Sequence, residues 1–175
     1  MSEGAFAMRN LTRLLLVSTI LIGCVGCDQL SKQVVRTQMM LAESHSYLGD
    51  TVRLVHVENT GAFLGLGDSL PETVRIAFLQ GAVGLIVLGL LWAATLARDM
   101  NRWQIIALAL LAAGGLGNLI DRVLYDGRVT DFLNVGLGSL RTGIFNIADV
   151  VEVIGVLVFL LAFRSAAPSR NGTKR

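Results

Sequence analysis

Four aspartates lie at, or in the connection between, the ends of long apolar runs in this chain. Asp28 closes the run Leu11 to Cys27, Asp121 closes Gln104 to Ile120, Asp149 opens the run Val150 to Phe163, and Asp131 lies between them in VTDF. Ionisable groups at membrane depth are costly to insert, so acids in such places point to function by default. Two carboxylates held close together cannot both ionise cheaply, and one keeps a proton while the other stays charged. Such a pair can hydrolyse an amide without a metal or a covalent nucleophile. The ionised acid takes a proton from a water, and the protonated acid donates to the carbonyl oxygen. Asp131 and Asp149 are the pair the sequence offers. Asp149 is expected as the charged member, because a helix N-terminus stabilises an anion. Asp131, flanked by Val129 and Phe132, can sit against the bilayer surface.

Each polar position also has a plainer reading. Asp28 and Lys32 are spaced as an i, i+4 ion pair. Asn118, Asp121 and Arg122 follow GGLG on one helix face, and an orienting network fits them as well as direct chemistry does. Asn146 and Asp149 have the spacing of an N-cap and its third residue. Ala113, Gly114, Gly115 and Gly117 form a small-residue surface suited to helix packing. Cys24 and Cys27 read as small buried hydrophobes. Alternatively, LIGC at 21–24 is a lipid-acceptor box, in which case the mature chain begins at Cys24. No HExxH or GxSxG is present, and neither His45 nor His56 stands in a nucleophile or metal pattern, so no metal or cofactor is expected. A transporter would carry acids in mid-span, where only Glu152 qualifies.

The elements that must position these residues are membrane spans. The chain has 175 residues, is 53% apolar and 16% charged with a net charge of +2, and has a mean hydropathy of +0.63. A soluble domain carries roughly a quarter charged residues, and a nucleic-acid-binding or disordered chain needs a charge-dense surface. Those classes are excluded, and no nucleic-acid partner is expected. The runs predict four spans, at about 11–27, 74–97, 104–120 and 146–163, in one integral-membrane domain covering 1–175. Residues 1–13, 98–103 and 164–175 hold eight of the fifteen Lys and Arg residues, while ten of the thirteen acids lie in residues 28–73 and 121–149. The positive-inside bias therefore places both termini in the cytoplasm, with 164–175 as a polar tail, and 28–73 and 121–145 on the far side. TVRLVHVEN alternates β-branched and polar residues and predicts a strand or hairpin there.

DQLSK (28–32), ENTGAF (58–63), GGLGNLIDR (114–122), VTDF (129–132) and FNIAD (145–149), in this order on a four-span layout, resemble the signature of the lipoprotein signal peptidases, or signal peptidase II, from about Leu11 to Phe163. The resemblance implies an all-α membrane protein with four transmembrane helices, a small extracytoplasmic β-cradle and a short surface helix, with TVRLVHVEN and the stretch 125–135 as their counterparts. It implies an aspartic endopeptidase of the bacterial inner membrane that removes the signal peptide of diacylglyceryl-modified prolipoproteins just before the lipidated cysteine. The implied catalytic residues are Asp131 and Asp149. The implied supporting or substrate-binding residues are Asp28, Asn59, Gly61, Asn118, Asp121, Arg122 and Asn146. Membrane lipid and inhibitors of the globomycin type are implied partners, and a monomer is expected. Asp126 is a nearby rival acid, read as a surface charge.

Overall fold

In the computed structural model, which describes residues 3–60, 71–98 and 100–164, the chain runs α1 (Glu3–Gln38), β1 (Ser44–Tyr47), β2 (Val52–Asn59), α2 (Glu72–Leu96), α3 (Arg102–Leu124), β3 (Val129–Leu137), β4 (Leu140–Arg141) and α4 (Ile147–Arg164). Among the described residues, Asn10–Gln38 of α1, α2 and α3 are long and apolar enough to cross a membrane. The 18-residue α4 is strongly apolar but carries Asp149, Glu152 and Arg164.

The first helix passes the boundary expected at Cys27 and continues to Gln38. Asp28, Lys32 and Arg36 are spaced four apart along it; Lys32 and Arg36 turn their charges onto α3 and β3, and Asp28 is engaged by Lys32 and by the first turn of α4. Charge therefore does not end the helix. The expected short surface helix does not occur among the described residues. The stretch 125–135 is a turn followed by β3, because the backbone of Val129 to Val135 is taken up by pairing with β2.

Helix α3 lies against α1, α2 and α4. Val17, Ala94, Ile105, Leu108 and Ala109 form a buried apolar cluster. The glycines of α3 allow the close approach of its neighbours. A Cβ at Gly114 would lie 2.6 Å from the Ala148 carbonyl oxygen, and one at Gly117 would lie 2.7 Å from the Asp28 carboxylate. Arg13, the one charge at the start of the first apolar run, donates to the carbonyls of Ala93, Ala94 and Ala97 at 2.8, 2.6 and 2.6 Å. These carbonyls end α2 and have few helical partners, and a cation is favoured beside them. The segment before Cys24 is thus packed into the fold through Arg13 and Val17. Its removal would expose both contacts, which argues against processing at Cys24.

The strands form one antiparallel sheet in the order β1-β2-β3-β4. Pairing of β2 with β3 joins the two longer connections, so these lie at the same end of the helices. Asp126 and Gly127, at φ +51° and +81°, turn the chain from α3 into β3. Phe145 then exchanges backbone hydrogen bonds with Leu133, at 2.9 and 2.7 Å, which draws the start of α4 onto β3.

Gly117→Val should lower stability by about 1–3 kcal/mol, because the added carbons must displace Asp28 and Ala148. The thermal unfolding midpoint in detergent checks this. Gly23→Ala, at a position with nothing within 4 Å, should lower that midpoint little or not at all.

Candidate active site

The site is built on a buried ionic cluster. The Lys32 ammonium contacts Asp28 Oδ2 at 2.8 Å and Asp121 Oδ2 at 3.2 Å, and donates to Asn118 Oδ1 at 3.0 Å. Asp28, Lys32 and Asp121 are each 0% exposed. The other Asp28 oxygen accepts from the Ala148 N–H at 2.9 Å, which fixes the first turn of α4 against α1. Gln29 Nε2 donates to Asp28, the Gly117 carbonyl and Asp121 at 3.0–3.1 Å. Arg36, stacked 4.2 Å over the Tyr125 ring, reaches Asp121 at 3.5 Å and donates to Thr130 Oγ1 at 2.7 Å. The Thr130 N–H donates to Asp121 at 3.0 Å. Two acids and two bases balance, which a cluster removed from water requires.

On this base the asparagines hold Asp131 and Asp149. Asn146 caps α4: its Oδ1 accepts from the Asp149 N–H at 3.1 Å, and its own N–H donates to Asp149 Oδ2 at 2.9 Å. The Asn146 amide also donates to Asp131 Oδ1 at 2.7 Å and to Asn118 Oδ1 at 3.0 Å. One residue thus touches both acids. Asn118 Nδ2 donates to Asp149 Oδ1 at 2.9 Å, and Asn59 Nδ2 donates to Asp131 Oδ2 at 3.0 Å. The register explains the last contact. Asp131 stands opposite Val57, which leaves Asn59 on the neighbouring diagonal.

Both acids line one cavity of about 510 Å³. Asn59, Asn118, Arg122 and Glu152 line it with them, and Val129, Ile144, Val153, Val156 and Leu157 supply an apolar wall. Burial pushes the Asp131 carboxyl above its ordinary value; the hydrogen bonds from Asn59 and Asn146 oppose the rise, and the Asp149 charge adds to it. The arrangement can present one protonated and one ionised carboxyl to a substrate beside an apolar wall.

The structure brings Asn59, Asn118, Arg122, Asp131 and Asp149 to one cavity, with Asn146 buried behind the two acids. Asp28 and Asp121 belong to the supporting cluster. Gly61 lies outside the described residues. Asp126 is exposed in the turn after α3. Asn146 and Asp149 form the helix cap the spacing predicts, and the same residues form the site, so the two readings are compatible. Sequence reasoning missed Gln29, Arg36 and Thr130 as members of the cluster. Only Arg36, one helical turn beyond Lys32, carried a spacing signal.

A family model described as signal peptidase (SPase) II matches residues 20–164. The chain is similar to a lipoprotein signal peptidase of Desulforapulum autotrophicum, at 38% identity over 152 residues that cover 87% of this chain and 91% of that one. A lipoprotein signal peptidase of Borrelia duttonii is 33% identical over 159 residues, 87% of this chain and 92% of its own. A solved bacterial membrane enzyme, at 2.3 Å resolution, aligns with a TM-score of 0.72 and 27% identity over 94% of each chain. Another, at 1.9 Å, gives 0.68 and 27% over 89% of this chain and 94% of that one.

Lys32→Met would leave the buried cluster one positive charge short, with Asp28 deprived of its only cation among the described residues, and should destabilise the protein by about 3–5 kcal/mol. Lys32→Met combined with Asp28→Asn restores the charge balance and should recover part of that loss. Thermal unfolding in detergent compares the two.

Proposed function

The chain belongs to the signal peptidase II family, and on that premise we propose that it is an aspartic endopeptidase. It removes the signal peptide of diacylglyceryl-modified prolipoproteins immediately before the lipidated cysteine, and Asp131 and Asp149 carry the chemistry. The observation that carries this reading is that one residue, Asn146, hydrogen-bonds both acids at the wall of one cavity. The relatives aligned over most of the chain are lipoprotein signal peptidases, which supports the reading.

The roles follow from the surroundings of each acid. Asp149 lies at the N-terminus of α4, where the helix dipole favours an anion, and accepts from the Asn146 N–H and the Asn118 side-chain amide, so it is the ionised member and takes the proton from the attacking water. Asp131 is the more buried, and burial favours its neutral form. It protonates the carbonyl oxygen as the tetrahedral intermediate forms. Asn118 and Asn59 hold the carboxylates in place, and Asn146 holds both. The supporting cluster of Asp28, Lys32 and Asp121 locks α1, α3 and α4 beneath them. Gly61, two residues beyond Asn59, is proposed as a further substrate-side position.

Four spans, both termini in the cytoplasm and the acids at the outer face of the inner membrane complete the proposal. The diacylglyceryl chains then stay in lipid and offer the peptide bond at headgroup level. The apolar wall of Val153, Val156 and Leu157 suits a substrate arriving sideways from the bilayer.

Purified protein should cleave a diacylglyceryl prolipoprotein peptide, and globomycin should block the cleavage. Asp131→Asn and Asp149→Asn should each reduce kcat/KM by about 10²–10⁴-fold, while Asp126→Asn changes it by less than about twofold, as usual for an exposed surface position. Full activity in either dyad variant, or loss confined to Asp126→Asn, would overturn the assignment. The pH profile has a defined sign. The raised Asp131 carboxyl keeps its proton at pH values where an ordinary carboxyl has lost it, and activity falls as rising pH removes it. The alkaline limb should therefore lie above the ordinary carboxylate range. A limb within that range would contradict the assignment of Asp131 as the acid.

A further inference from the structure

Glu152 is the acid that the dyad chemistry leaves unused. It stands three positions after Asp149 on α4, is partly buried and lines the same cavity. Among the described residues its carboxyl has no hydrogen-bond or ion-pair partner, although Asp28, Asp121, Asp131 and Asp149 around it are all engaged. The packing makes room for it. A Cβ built on Gly114 would collide with Glu152 Cγ, and one on Gly115 would lie 3.9 Å from Glu152 Oε1. It shares the cavity with Arg122, which makes no ion pair with it, and with Asp149, while Val153, Val156 and Leu157 supply the apolar part of the wall. A carboxyl kept in such a place without a protein partner is costly, and the cost is offset when a ligand supplies the donor.

We propose that Glu152 is a specificity-determining residue whose carboxyl accepts a hydrogen bond from a hydroxyl on the signal-peptide side of the substrate. The inference rests on the peptidase reading above and deepens it. Three residues of helix carry Glu152 about 4.5 Å deeper than Asp149, and an extended peptide advances about 3.3 Å per residue. The signal peptide runs inward from the scissile bond, so Glu152 faces the first or second residue before the cut. A hydroxyl suits the site better than a cationic group, which would enter the cavity beside the like charge of Arg122. A carboxyl offers an acceptor oxygen to a hydroxyl whether it is charged or protonated.

The test uses the full-length protein in detergent and diacylglyceryl peptides that carry Ser or Ala at the first or second position before the lipidated cysteine. For the wild-type enzyme, kcat/KM should favour Ser over Ala by about tenfold or more at one of these positions, as for a site whose buried polar group is left unpaired by the analogue. The Ser-to-Ala ratio should fall to within about twofold in Glu152→Leu and be kept at least in part in Glu152→Gln, which retains an acceptor oxygen. The ratio is taken within each variant, so a general loss of activity or of fold cancels. A wild-type ratio near one at both positions, or a preference that survives Glu152→Leu, overturns the role of Glu152 while cleavage of the Ala peptide upholds the peptidase reading. Cleavage of neither peptide by the wild-type enzyme overturns both.

Discussion

The contacts of one ammonium group organise this molecule. Lys32 lies between Asp28, from its own helix, and Asp121 and Asn118 of α3, and the three charged groups are fully buried. In so dry a place the charges are held only while they are paired. Lys32 therefore cannot leave α3, and Asp28, engaged by Lys32 through one oxygen, offers the other to the first turn of α4. Three helices meet at one neutral knot. The glycines of α3 follow from it, since a side chain at Gly117 would occupy the place of the Asp28 carboxylate.

Above the knot the polar chemistry changes kind. Asn118 and Asn146 each carry a donor and an acceptor on one amide, so they pass the order of the ionic cluster to Asp131 and Asp149 without neutralising either acid. An arginine or lysine in either position would bring a full charge and favour ionisation of both acids. Neutral donors let burial act on Asp131. The proposed division of labour between the two acids depends on that difference.

A helix cap and a site are usually treated as competing explanations of the same residues. Here they coincide: the N–H of Asn146 satisfies Asp149 while the cap closes α4, and the amide left over from the cap reaches Asp131. Such sharing suits a membrane protein, where each polar group at depth needs a partner. Glu152, without a hydrogen-bond or ion-pair partner among the described residues, stands out against that pattern.

The residue types determined the solvent of this protein and its chemistry. Apolar runs bounded by acids, FNIAD at the start of a helix, and the i, i+4 pair Asp28 and Lys32 are local signals, fixed by helical period and hydropathy. The same local logic misjudged where α1 ends, because the charges at 28, 32 and 36 look like a boundary until their partners on α3, β3 and α4 are known. The surface helix that the family resemblance implied around 125–135 is a strand instead, because pairing with β2 imposes it. Tertiary structure alone decided that Leu133 pairs with Phe145, that Asn146 thereby touches both Asp131 and Asp149, and that Glu152 turns into the same cavity. These depend on strand register and helix crossing between residues distant in sequence, and spacing along the chain carries no record of either.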